Sequence, residues 1–196
     1  MVKVVTLRRV IALIAISVVC APLISAQESE FELWRAINTK EHIALMRHST
    51  APGSDDPSNF QLGDCSTQRN LSLGGRELAR LIGGHFRDNG IDAADIYSSP
   101  WCRCMETSEL MNLGPVNELL SISSLYQNVP NQLARDRSSD MQKWLAGQDF
   151  DRPTVLVTHQ VNITDLTGEY AGEGDMIIVS VAADGALEVL GKIRAN

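Results

Sequence analysis

Apolar positions along this chain switch repeatedly between the two-residue period of a strand and the longer period of a helix. Residues 28–38 read as a short lead-in helix. Residues 41–46, Glu-His-Ile-Ala-Leu-Met, form a buried strand that empties into Arg47-His48-Ser49-Thr50-Ala51-Pro52-Gly53, where proline and glycine end regular structure. Residues 54–70 are polar and form a long loop, a feature that in a small domain usually carries function. Leu78, Leu81, Ile82, His85 and Phe86 share one helical face, stopped by Asn89-Gly90. Residues 95–99 are a second strand closed by Pro100, and residues 101–113 a helix with that proline at its start. Residues 116–127 fit neither period, whereas 133–145 fit a helix. The β-branched run 154–158 is a strand suited to burial on both faces. Residues 176–182 and 187–193 flank Asp184-Gly185 as a terminal hairpin. Strands alternating with helices predict an α/β sandwich with a mostly parallel sheet. Ligands of such sheets sit beyond the carboxyl ends of the strands.

The amino terminus follows another pattern. Lys3, Arg8 and Arg9 precede an apolar run from Val10 to Val19, and Ala21-Pro22-Leu23-Ile24-Ser25-Ala26 follows. A basic start, a short apolar core and a small-residue exit describe a secretory signal over residues 1–26, leaving 27–196 as one domain that is periplasmic or secreted. An uncleaved anchor is the other reading, although Pro22 breaks the uncharged stretch. Cleavage leaves no membrane span and, by removing Lys3, Arg8 and Arg9, takes the net charge from −7 to −10. With no basic run outside the first nine residues, a nucleic-acid surface is excluded. A hydrophobic fraction of 44% with 21% charged residues excludes disorder and a multi-span membrane protein.

Arg47-His48, Cys102-Arg103-Cys104 and His159 each follow a predicted strand, so parallel strands gather them at one sheet edge. Guanidiniums match phosphate oxygens in bidentate geometry, and a histidine among them can attack phosphorus through a ring nitrogen. The surrounding cations neutralise charge on the transferring group, so this chemistry needs no metal and no cofactor. His42, inside a strand, and His85, on a helix face, read as structural. Cys65, Cys102 and Cys104 with a histidine number enough for zinc, but Cys-x-Cys is not a structural zinc spacing and no second pair exists. A disulfide from Cys65 to either Cys102 or Cys104 is the preferred reading, and it braces the pocket rim.

Four segments carry a resemblance. Leu45-Met46-Arg47-His48-Ser49-Thr50, Leu71-Ser72-Leu73-Gly74-Gly75-Arg76-Glu77-Leu78-Ala79, the stretch from Ile96 to Thr107 containing Ser98-Ser99-Pro100-Trp101-Cys102-Arg103, and Val155-Leu156-Val157-Thr158-His159-Gln160 resemble, in order, the motifs of the histidine phosphatase superfamily. The resemblance implies a three-layer α/β/α sandwich of the phosphoglycerate mutase-like kind and a small exported phosphatase acting on a small phosphorylated substrate. It implies that His48 is the nucleophile that becomes phosphorylated, that Arg47 and Arg103 clamp phosphate, and that His159 is a second, protonated phosphate ligand. Ser49 and Gln160 stand where the family usually has glycine; with Arg69 they are further candidates for phosphate or substrate contact. No family motif locates the general acid, for which Glu118, Asp64 and Glu173 are rivals. The expected function is hydrolysis of phosphomonoesters, with lipopolysaccharide-core or other phosphosugars matching the compartment. The alternative is a catalytically silent phosphate- or phosphosugar-binding module of the same fold.

Overall fold

The computed structural model describes residues 29–125 and 131–195; the expected signal segment 1–26 lies outside them, as does the end of the ambiguous stretch 116–127. The elements are α1 (Glu30–Ile37), β1 (His42–Arg47), α2 (Leu73–Asp88), β2 (Asp95–Ser98), α3 (Cys102–Met111), β3 (Val116–Glu118), α4 (Asn131–Ala146), β4 (Thr154–Thr158), α5 (Gln160–Thr167), β5 (Met176–Val181) and β6 (Leu187–Ile193). The loop expected over 54–70 contains a single 3₁₀ turn, Cys65–Thr67. The ambiguous stretch resolves into the short β3 and a second 3₁₀ turn, Leu120–Ile122.

The six strands form one sheet in the order β3-β2-β4-β1-β5-β6. The first four run parallel; β5 pairs antiparallel with β1, and β6 antiparallel with β5. Successive side chains of a strand point to opposite faces, so each interior strand feeds two cores. Ala44 and Met46 of β1 pack with Leu33, Ile82, Phe86 and Met111, which puts α1, α2 and α3 on one face. Ile43 and Leu45 pack with Met141, Leu145 and Ile163, which puts α4 and α5 on the other. Three layers result.

The α2 face differs from the one its apolar spacing predicts. Gly75, Ala79, Ile82, Gly83 and Phe86 are buried, whereas Leu81 is 60% exposed and His85 faces solvent. Glycines carry no hydrophobic signal, yet here they set the packing. A Cβ on Gly75 would lie 2.1 Å from the carbonyl oxygen of Thr50, and one on Gly83 would lie 2.0 Å from that of Met111. The helix therefore turns its bare side to the backbone and leaves Leu81 outside. This seating presses α2 against the segment that follows β1. Among the described residues no helix is long and apolar enough to cross a membrane.

Candidate active site

The sheet ladder extends one residue past the ends of β1 and β2. The N–H of His48 donates to Thr158 O at 3.0 Å, and that of Ser99 donates to Val157 O at 2.9 Å. With Arg47 level with Thr158, these bonds bring His48, Ser99 and His159 side by side at the carboxyl edge. His159 caps α5, and Arg103 occupies the first turn of α3, so two helix amino termini face the same point and add partial positive charge. Thr107, one turn below Arg103, donates to Arg103 O at 2.7 Å and accepts from the Ser49 N–H at 3.0 Å. It ties the helix bearing one candidate to the backbone bearing the other.

His48 is 2% exposed, and Arg103 and His159 are each 4% exposed. The His48 Nδ1 lies 2.8 Å from Ser49 O, and a carbonyl only accepts, so the proton is on Nδ1 and Nε2 keeps its lone pair. Arg103 Nε–H donates to that Nε2 at 3.2 Å. A guanidinium likewise only donates, so His159 Nδ1, 3.4 Å from Arg103, is an acceptor, and its Nε2–H is left for Ser99 Oγ at 2.8 Å. Burial pushes His48 down to about 3, assisted by the charges of Arg103, Arg69 and Arg47. Burial and the same arginines hold His159 well below the ordinary histidine range. Both rings are neutral here. Burial and three guanidiniums thus disfavour a further cation at His159 in the ligand-free pocket, whereas the expected protonated His159 is one that holds phosphate.

A cleft of about 160 Å³ opens on this cluster, lined by Arg47, His48, Ser54, Arg69, Ser124, His159, Gln160 and Val161. Arg47 donates to Ala171 O at 3.2 Å and lies 3.7 Å from Glu173, while its buried Nε has no partner. Arg69 donates to Ala51 O, and its buried Nε also lacks a partner. Burying unpaired donors is costly. Two such donors beside a neutral histidine could both donate to an anion with several oxygens.

No protein-family model matches the sequence, and no curated protein matches it significantly. Solved structures do match. The protein histidine phosphatase SixA, in complex with tungstate, superposes with a TM-score of 0.54 at 17% identity, over 79% of this chain and 97% of that one. A mycobacterial glucosyl-3-phosphoglycerate phosphatase gives 0.52 at 16%, again over 79% and 97%. A phosphoserine phosphatase from Entamoeba histolytica, holding 3-phosphoglyceric acid, gives 0.54 at 12%, over 77% and 95%. The chain has the phosphoglycerate mutase-like fold of the histidine phosphatases.

Within that fold the departures from the family pattern have local explanations. Ser49 is fully buried and donates its hydroxyl to Gly75 O at 2.7 Å, so it does not contact the cleft as expected; it locks β1 to α2 instead. Gln160 borders the cleft, but its amide donates to Thr164 Oγ1 at 2.6 Å and accepts from the Ala171 N–H at 2.9 Å. It fastens the segment leading to β5 rather than pointing a donor inward. Arg69, a further candidate, borders the cleft.

The three acid candidates separate cleanly. Asp64 is exposed and spends its carboxylate on the backbone and hydroxyl of Ser66, bonds that lower its pKa, so it caps the 3₁₀ turn. Glu118 is exposed at the end of β3, the outermost strand, with β2 and β4 between it and β1. Only Glu173 of the three touches a pocket group, through Arg47 and through the Ala51 N–H at 3.2 Å. Cys65 pairs with Cys102, Cα atoms 5.7 Å apart, which withdraws two thiols from any zinc set. Cys104 stays a buried thiol, pushed up to about 12 by burial. Asp56 was missed altogether. It pairs with Arg103 at 2.9 Å, and nothing in its own sequence neighbourhood, Asp55-Asp56-Pro57, marks it as other than a turn.

Proposed function

We propose that this protein is a phosphatase that hydrolyses small phosphomonoesters through a phosphohistidine at His48. The carrying observation is the orientation of His48: its Nδ1–H is held by Ser49 O, and its Nε2 lone pair faces Arg103 and the cleft. Nε2 attacks phosphorus, the ester P–O bond breaks, and the leaving oxygen takes a proton. Water then attacks the phosphorus of phospho-His48, the P–N bond breaks, and inorganic phosphate leaves with Nε2 restored. Arg47, Arg69 and Arg103 supply the positive charge that a metal supplies in other phosphoryl-transfer sites. His159 becomes protonated when the phosphoryl dianion arrives, because the adjacent anion offsets the burial and the arginine charges that otherwise keep it neutral. We assign the leaving-group proton, and its recovery from water, to Glu173; its contact with Arg47 supports this.

The structurally similar phosphatases, whose names span protein histidine, phosphoserine and a phosphorylated sugar acid, support a small phosphorylated substrate. Among these classes we favour phosphosugars, including those of lipopolysaccharide core: the polar residues Ser54 and Ser124 border the cleft, and the expected export of residues 27–196 as a periplasmic or secreted domain would bring it to such substrates. A silent binding module has no use for a nitrogen lone pair at its centre, so turnover is the better reading. The test is to mix the protein with a ³²P-labelled ester and quench in alkali. The expected product is an alkali-stable, acid-labile phosphoprotein that is absent in His48→Ala and unaffected by EDTA. An unlabelled but folded parent that binds phosphate would favour the silent module.

A further inference from the structure

Asp56 engages the pocket through Arg103, and the reaction outlined above does not use it. Its Oδ1 accepts from Arg103 at 2.9 Å and from the Arg69 N–H at 2.9 Å, and its Oδ2 accepts from the Trp101 indole at 3.1 Å. Trp101 is fixed in turn by stacking on Phe60, ring centroids 5.3 Å apart, and by an edge contact with His159. The ion pair is buried, its side chains 4% and 10% exposed. Around Arg103 every nitrogen is thereby committed: Nε to His48, one terminal nitrogen to Asp56 and the other to His159.

A guanidinium is a rigid planar fork, so fixing one edge fixes the direction of the other two. The carboxylate that orients Arg103 also spends part of its charge and donor capacity, which a phosphoryl group would otherwise take. We propose that Asp56 is a positioning residue that acts through Arg103, raising the rate of phosphoryl transfer at the expense of phosphate affinity. The assignment rests on the phosphatase reading of the same site. It gives the two consequences opposite signs, which a general loss of structure cannot do.

The experiment measures kcat on p-nitrophenyl phosphate and the inhibition constant of inorganic phosphate for the parent and for Asp56→Asn, which keeps the shape and removes the charge. The expected result is a kcat lower by about 10–100-fold, because a misaligned group near the chemistry costs on that order. Phosphate should inhibit about fivefold more tightly, because one anion has left a cationic pocket of low dielectric. A parallel loss of rate and phosphate affinity, or no change in either, overturns the assignment. Should Asp56→Asn not fold, Trp101→Phe removes the donor to Oδ2 while leaving both charges; a several-fold lower kcat with undiminished phosphate inhibition supports the assignment, and an unchanged kcat overturns it. A parent that neither turns over nor binds phosphate is distinguishable from all of these: it overturns the phosphatase reading, and this assignment with it.

Discussion

Two kinds of segment build the pocket, and they are held in place differently. Arg47, His48 and His159 stand at strand ends, with Arg103 in the first turn of the helix after β2; their positions follow from the parallel ladder of β1, β2 and β4. Asp56, Arg69 and Glu173 come from loops, whose positions depend on contacts between distant parts of the chain. The loop set is held by the Cys65–Cys102 bridge, by Gln68 joining Gln61 O to the Cys102 N–H, and by Glu173 on the Ala51 N–H. The sheet thus places His48, the proposed nucleophile, while the loops bring the charged groups Asp56, Arg69 and Glu173 around it. Damage to the first set should abolish the chemistry, and damage to the second should change its rate, leaving-group preference and stability.

The largest expected effect follows directly. His48→Ala should lower turnover of p-nitrophenyl phosphate by at least about 10³-fold, as removal of a covalent nucleophile does elsewhere. Arg103 and His159 remain to hold phosphate, so binding measured by calorimetry should survive. Turnover retained in a folded His48→Ala protein would break the comparison at its centre.

Next in size is a loop residue. Glu173→Gln should cost about 10²-fold or more on an alkyl phosphate, whose alkoxide cannot leave unprotonated, and only a few-fold on p-nitrophenyl phosphate. That selectivity separates a proton donor from a group that merely supports Arg47, whose loss would slow both substrates equally. Equal slowing would move Glu173 into a structural role and reopen the search for the acid.

How much of this was legible in the sequence follows the same division. The strands, their buried character and the convergence of Arg47, His48, Arg103 and His159 could be read from local period and order, because a strand end is a local signal. Even the antiparallel β5–β6 hairpin announced itself through Asp184-Gly185. The α2 face was misread because Gly75 and Gly83 pack by lacking a side chain. Asp56 was invisible because its partners, Arg103 and Trp101, are 47 and 45 residues away, and no spacing rule links an Asp in a turn to an Arg in a helix. The proton affinity of His159 in the ligand-free pocket is not legible for a related reason: it depends on the sum of burial and three guanidiniums, one of them from the loop.

Cys65→Ser tests the hold on the loop itself. The bridge spans 37 residues, and loop-closure entropy assigns it about 3–4 kcal/mol of stability. Urea denaturation should register a loss of that order, and limited proteolysis should cut residues 54–70 faster. Turnover should fall only several-fold, since His48 and His159 are anchored elsewhere. Equal protease resistance with and without the bridge would show that the hydrogen bonds of Gln68 and Asp56 hold the loop alone.

The finest test uses the neutral histidines as a probe of the pocket's field. His48 lies at about 3 in the folded protein, against an ordinary value near 6.5. As the pH falls below 6.5 the unfolded chain takes up a proton that folded His48 refuses, so folding stability declines, and it continues to decline until the pH nears 3. The slope from one such group is at most about 1.4 kcal/mol per pH unit, and His159 adds in the same direction. Urea unfolding between about pH 7 and pH 5 should therefore show a shallower pH dependence in His48→Ala than in the parent. Saturating sulfate, which keeps both its charges across this range, should flatten the parent's slope too, because an anion among Arg47, Arg69 and Arg103 lets the histidines accept protons. If sulfate binds and leaves the slope untouched, burial alone depresses the two histidines, and the loop-borne Arg69 contributes nothing to the field at the strand ends.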